Sequence, residues 1–140
     1  MMKYLVTGAA GFIGGHIAHT LAASGHEVTG VDIKPFATTH PFQSVTMSIE
    51  DKNSLTPHVT DCDGIFHMAA IASVPKTFED PEGSYAVNVT GTRNVFQAAL
   101  DAGNIPVVYA SSAAIYGDND ALPLKEIEAP KPMSPYAEHK

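Results

Sequence analysis

Tryptophan is absent from the 140 residues, and cysteine occurs once, at Cys62. A lone thiol excludes an internal disulfide framework and fits a reducing compartment; a small side chain just ahead of an apolar segment reads as a packing residue. Basic residues are scarce as well: 8 Lys+Arg against 15 Asp+Glu leave a net charge of −7. Such a chain has no basic stripe to neutralise a phosphate backbone, so nucleic acid is set aside as a partner. Long hydrophobic runs are missing too. Met1-Met2-Lys3 leads straight into Tyr4-Leu5-Val6, too short a run for a signal-peptide core or a membrane span, and a cytoplasmic protein is expected. There is no fixed-period repeat, and the one compositional shift, the proline-rich and charged stretch from Asp118 to Pro135, reads as a long loop. What remains, at 44% hydrophobic, suffices for one domain with one sizeable core.

Five short apolar segments have the look of buried strands: Tyr4-Leu5-Val6, Glu27 to Asp32, Val45 to Ile49, Gly64 to Met68 and Pro106 to Ala110. Between the first two, Phe12, Ile13, Ile17 and Leu21 recur at helical spacing, and Gly25 stands where a helix-ending glycine belongs. A second helix is expected from about Ser84 to Ala102, with Val87, Val95, Ala98, Ala99 and Leu100 on its apolar face and Gly103 stopping it. Strands alternating with helices argue for an α/β fold, a Rossmann-type doubly wound parallel sheet with right-handed crossovers.

The first strand empties into Thr7-Gly8-Ala9-Ala10-Gly11-Phe12-Ile13-Gly14. In this context Gly8 permits the tight turn, Gly11 lets backbone approach a diphosphate, and Gly14 lets helix and strand pack closely. The free N–H groups and dipole of the first helical turn favour that anion. Asp32, at the end of the second strand, is placed to accept from both ribose hydroxyls and to repel a 2′-phosphate, so NAD is expected ahead of NADP, although Lys34 lies near. The carboxyl ends of strands three and four, Ser48-Ile49 and Ala69-Ala70, are expected to line the adenine and ribose. His67, inside an apolar strand, reads as a satisfied core histidine rather than a catalytic one.

The remaining group is Ser111-Ser112 after strand five, with Tyr136 and Lys140 four residues apart in Ser134 to Lys140. On a helix that spacing puts both side chains on one face. A lysine cation there favours the ionised phenol, so the tyrosine can serve as a base, while Ser112 donates to the reacting oxygen. No metal is called for by these residues.

The pieces TGAAGFIG (Thr7 to Gly14), Asp32, FHMAA (Phe66 to Ala70), NVTGT (Asn88 to Thr92), YASSAAIYG (Tyr109 to Gly117) and SPYAEHK (Ser134 to Lys140) occur in order along the whole chain. Together they resemble the extended short-chain dehydrogenase/reductases, in particular the NAD-dependent epimerase/dehydratase group. The resemblance implies that Phe12 and Ile13 offer N–H groups to the diphosphate and that Asp32 and Ile33 border the adenosine ribose. It further implies that Ile49, Ala69, Ala70 and Asn88 line the cofactor path, that Ser112, Tyr136 and Lys140 are catalytic, and that Lys140 also binds the nicotinamide ribose. The expected reaction is nucleotide-sugar epimerisation, in which hydride leaves a sugar carbon and returns to the other face of the keto sugar.

Several positions depart from the family pattern. Ser48 stands where many relatives have an aspartate, and Ala72 where some sugar epimerases carry a lysine. Ala113-Ala114 follow the catalytic serine where dehydratases have an acidic pair and decarboxylases a glutamate, which favours epimerisation or carbonyl reduction. YASSAAIYG also looks like the segment in heptose epimerases, which prefer NADP. Dehydratase, heptose epimerase and other reductase activities remain alternatives, as does a non-catalytic dinucleotide-binding module. Family members run on well past the position of Lys140. Residues 1–140 are therefore expected to be an incomplete dinucleotide-binding domain without the C-terminal substrate domain, of weak affinity and little turnover alone, and a homodimer at full length.

Overall fold

The computed structural model describes residues 1–36 and 39–140. Five strands, β1 (Lys3–Thr7), β2 (Glu27–Asp32), β3 (Gln43–Thr46), β4 (Gly64–His67) and β5 (Val107–Tyr109), form one sheet in the order β3-β2-β1-β4-β5. All four pairings are parallel. The chain works outward from β1 to β3, then crosses back to β4 on the other side of β1. The carboxyl ends of β1 and β4 thus flank a topological switch point, where open α/β sheets take their ligands.

Alternation along β1 shows why the sheet is covered on both faces. Leu5 joins Val31, Ile49, Leu55, Val59, Ile65, Val95, Ala98 and Ala99 on one side, whereas Val6 joins Ala9, Ala18, Val28 and Phe42 on the other. The first cluster is roofed by α2 (Lys52–Val59) and α5 (Thr92–Asp101), the second by α1 (Phe12–Ala23). α1 ends as expected: Gly25, at φ +83°, donates to Ala22 O and His26 donates to Leu21 O, the paired bonds of a Schellman ending.

Its start differs from the sequence reading. Phe12 and Ile13 are 94% and 60% exposed, because the first turn of α1 projects past the sheet edge; the buried stripe runs instead through Gly14 and Ala18, flanked by Ile17 and Leu21. β3 also sits earlier than Val45–Ile49. Gln43 and Ser44 pair with Thr29 and Gly30, while Ser48 turns out of the strand, its hydroxyl bonding the side chain and N–H of Glu50.

Two helices went unforeseen. α2 starts on Asp51, whose carboxylate accepts from the N–H groups of Asn53 and Ser54; α3 (Val74–Glu79) starts on Ser73. The helix expected from Ser84 begins earlier, as α4 (Pro81–Tyr85), and runs into α5 through a π-helical segment at Ala86–Gly91. Such segments put one extra residue in a turn and re-aim side chains, commonly at functional sites. Here Gly91 faces the Ile49 side chain, and an added Cβ would stand 2.7 Å from it. The stretch from Asp118 to Ser134 carries no strand or helix.

Candidate active site

The turn after β1 is built around two glycines. Gly8 sits at φ +70°, and an added Cβ would meet Ala69 N at 2.8 Å, so only glycine lets β1 turn beside the end of β4. Gly14 lies so close to the Gly8 carbonyl that a Cβ would overlap it. No side chain caps Gly11 at the α1 N-terminus, so the orphan N–H groups of that turn face outward.

Asp32 leaves the end of β2 and reaches this turn. One carboxylate oxygen accepts from Ala10 N at 3.0 Å and the other from Lys34 N at 2.9 Å. A carboxylate has about four acceptor positions. Two are spent on fixing the acid against the glycine loop, and two remain for a pair of vicinal hydroxyls.

Beside these residues runs a groove of about 530 Å³ along the carboxyl edge of the sheet. Of the residues singled out in the sequence, Gly8, Gly11, Asp32, Ile33, Ser48, Ile49, Ala69 and Ala70 line it; Met47, Ile71, Ser73 and Lys76 were not anticipated there. Asn88 does not reach it. Its amide is spent on Ile71, accepting from the N–H at 2.7 Å and donating to the carbonyl at 3.1 Å, so it braces the groove wall from behind. Phe12, Ile13 and Gly14 lie outside the lining too, the first two exposed at the helix start and Gly14 buried under it.

A second cluster sits one strand further out, on the end of β5. Ser112 accepts from Ala114 N at 3.2 Å and opens a 3-10 turn at Ala113–Tyr116, which leaves its own hydroxyl hydrogen to donate. Ser134 caps α6 (Pro135–Glu138), with proline at the first helical position. This short helix carries Tyr136, and Lys140 follows it. Lys140 is tied down at both ends: Nζ donates to Ala110 O at 2.8 Å, and its carbonyl accepts from Tyr109 and Ser111, each at 3.3 Å. Burial pushes the ammonium below the ordinary lysine range. His139 approaches the Ser84 hydroxyl at 3.4 Å, fastening α6 to α4. Tyr136 and Lys140, read from the sequence as cofactor contacts also, stand outside the groove lining; α6 packs against α3 and the 3-10 turn at Ala113–Tyr116.

Behind the groove lies a buried hydrogen-bonded chain, running from the end of β1 through β4 to α5, that sequence reasoning missed. The Thr7 hydroxyl accepts from Met68 N and Ala69 N, both at 3.1 Å, and lies 2.7 Å from His67 Nδ1. With both lone pairs taken, its hydrogen goes to Nδ1; the imidazole proton must then sit on Nε2, which donates to Thr92 Oγ1 at 2.8 Å. His67 is 1% exposed with both nitrogens satisfied, in keeping with the core reading. Thr7→Val would orphan two N–H groups and the imidazole acceptor at once. A loss of about 2 kcal/mol or more in urea unfolding is expected, with Thr7→Ser recovering most of it.

Burial first, and then the charge on Lys140, lower the His67 pKa to about 4 from 6.5. As pH falls below 6.5 the unfolded chain gains a proton that the folded chain refuses until about pH 4. Stability from this source is therefore full at neutral pH and drops through that window by about 3 kcal/mol. Urea midpoints at about pH 7 and pH 4 should differ more in the wild type than in His67→Gln; equal differences would contradict the assignment.

A parallel sheet with a glycine turn at its switch point and an acid fixed against that turn defines a dinucleotide-binding α/β domain. The chain belongs to the NAD dependent epimerase/dehydratase family, whose sequence profile matches residues 4–140. It is 42% identical over 122 residues to a UDP-N-acetyl-alpha-D-glucosaminuronate decarboxylase of Bacillus cytotoxicus, covering 82% of this chain and 38% of the relative. It is 38% identical over 148 residues to a UDP-glucose 4-epimerase of Mycolicibacterium smegmatis, covering 97% and 47%. Among solved structures, the UDP-glucose 4-epimerase of Brucella ovis in complex with NAD superposes with a TM-score of 0.89 at 33% identity, over 99% of this chain and 44% of that one. The chain thus spans less than half the length of these relatives. Among the described residues no helix is long and apolar enough to cross a membrane.

Proposed function

We propose that this chain is the NAD-binding part of a nucleotide-sugar epimerase acting in the cytoplasm, with no nucleic-acid partner. The observation that carries the cofactor reading is Asp32, held against Ala10 and Lys34 with two acceptor positions left for ribose hydroxyls. The residues present fit a dinucleotide: Gly8 and Gly11 keep the turn open, the α1 N-terminus offers Phe12 and Ile13 N–H groups to a diphosphate, and Ser48, Ile49, Ala69 and Ala70 wall the groove. When bound, NAD would supply the acceptor and returning donor of hydride at the sugar carbon.

In this reading Tyr136 takes the proton of the sugar hydroxyl, Ser112 donates a hydrogen bond to that oxygen, and Lys140 holds positive charge beside them. The decarboxylase among the relatives raises a second reaction class. Against it stand Ala113 and Ala114, which put no carboxylate next to Ser112 for a further proton transfer. A non-catalytic binding module would have no use for Ser112, Tyr136 and Lys140 gathered at the end of β5. Residues 1–140 act in this proposal as the cofactor domain, with sugar recognition residing in the part of the relatives that has no counterpart here. A second copy is placed on the outer face of α5, where Phe96 and Leu100 are 42% and 57% exposed.

The test uses a version extended past Lys140 by the C-terminal part that the relatives carry, incubated with NAD and UDP-hexose epimers and read by NMR of the sugar signals. Interconversion of the two 4-epimers is the expected result; elimination or decarboxylation products in their place would overturn the epimerase reading.

A further inference from the structure

Lys140 has an unusual setting for a half-buried cation. Neither ion pair found among the described residues includes it, and the single polar partner of its ammonium is the Ala110 carbonyl. Two of its three N–H groups remain uncommitted. Its charge is met instead by aromatic faces: Nζ lies 5.3 Å from the ring centroid of Tyr109 and 6.0 Å from that of Tyr136. Both distances fall within reach of a cation–π attraction, and the Tyr109 contact is the closer.

Tyr109 is itself firmly held. Its ring stacks on His67 at 5.7 Å and 22°, and Phe96 meets it edge-on at 5.9 Å. Its hydroxyl donates to the Lys140 carbonyl, so one side chain touches both the head and the backbone of the lysine. Behind it, His67 is fixed by Thr7 and Thr92 in its neutral form. A charged imidazole there would repel the same ammonium.

We propose that Tyr109 is a positioning residue for Lys140, its ring serving as the counter-face for the ammonium in place of a carboxylate. The choice has a chemical consequence. An aspartate or glutamate would hold two N–H groups in a salt bridge, whereas an aromatic face leaves them directed toward ribose or substrate hydroxyls. The proposal rests on the reading of Lys140 as the lysine that serves cofactor and reaction.

The experiment uses the chain labelled with 13C-lysine, with the Lys140 ε-methylene signal assigned by its loss in Lys140→Arg. An aromatic ring at this distance displaces that signal upfield from the other lysines. Tyr109→Phe, which keeps the ring, is expected to retain the displacement; Tyr109→Leu is expected to lose most of it and to weaken NAD binding about three- to tenfold. A Lys140 signal unmoved in Tyr109→Leu, with backbone amide dispersion intact, would overturn the proposal. Lys140→Met separates the two layers. Weaker NAD binding in that variant supports the underlying reading; unchanged binding, with the displacement still present in the wild type, would show that the contact exists but serves no cofactor, and would overturn the positioning role.

Discussion

Tyr136→Phe is expected to lower nucleotide-sugar turnover by about 10²- to 10⁴-fold while changing NAD affinity by no more than about twofold. The reason lies in how the other candidates near β5 are occupied. His67 is buried and neutral between two threonines, and His139 is engaged with Ser84. Lys140 spends one N–H on Ala110 and has no proton-accepting role while charged. Ser112 accepts from Ala114 and is a donor, not a base, at neutral pH. In the proposed reading the phenol of Tyr136 takes the proton from a sugar hydroxyl, since the other phenol at this site, that of Tyr109, donates to the Lys140 carbonyl. Phenylalanine keeps the ring beside Lys140 and removes only the hydroxyl, so both the lysine and the groove lining are left in place. Turnover followed by NMR, with NAD affinity by calorimetry, measures both halves; a variant that retains a tenth or more of wild-type turnover would remove Tyr136 from the reaction.

Gly14→Ala is expected to destabilise the fold by about 2–3 kcal/mol and to abolish NAD binding. A Cβ at Gly14 overlaps the Gly8 carbonyl, and both partners are backbone, so neither can rotate away. α1 must lift from β1, and the uncapped N–H groups of its first turn move with it. Displacement of positioning groups by about an ångström can cost on the order of a hundredfold. Gly11→Ala supplies the contrast. Its Cβ would lie 3.1 Å from the Gly8 carbonyl, a tight contact that a small shift relieves, so stability should fall by no more than about 1 kcal/mol. Affinity is expected to drop about tenfold all the same, because the methyl group stands where a diphosphate must approach the backbone. Urea unfolding and calorimetry on the two variants separate packing from binding.

Features written in local chemistry were legible before any coordinates. The five strands and their parallel pairing follow from short apolar runs alternating with helices, and the tight turn at Gly8 and the close packing at Gly14 follow from a turn whose parts lie close together in sequence. Gly25 marks the end of α1 for the same reason. Boundaries were weaker where polar residues join a ladder, as Gln43 and Ser44 do in β3. α2 was missed although Asp51, Leu55 and Val59 carry a cap and a one-turn spacing, because Pro57 inside the helix argues against it. Phe12 and Ile13 satisfy helical periodicity yet face outward, since periodicity cannot say where a helix outruns its sheet. The Thr7–His67–Thr92 relay and the Asn88 clamp on Ile71 join residues 17 to 60 apart. Nothing local marks a threonine as the acceptor of two distant N–H groups. The π-helical segment is of the same kind, since its extra residue per turn places Asn88 and Gly91 against partners in other elements.

The claim on which the rest depends is that the groove between Gly8 and Asp32 takes NAD. Calorimetric titration of the purified chain with NAD and NADP, beside Asp32→Ala, tests it most directly. One-site binding of NAD, weaker binding of NADP, and loss of NAD binding of about tenfold or more in Asp32→Ala are predicted. Absence of NAD binding by the wild-type chain, or equal binding by Asp32→Ala, would contradict it.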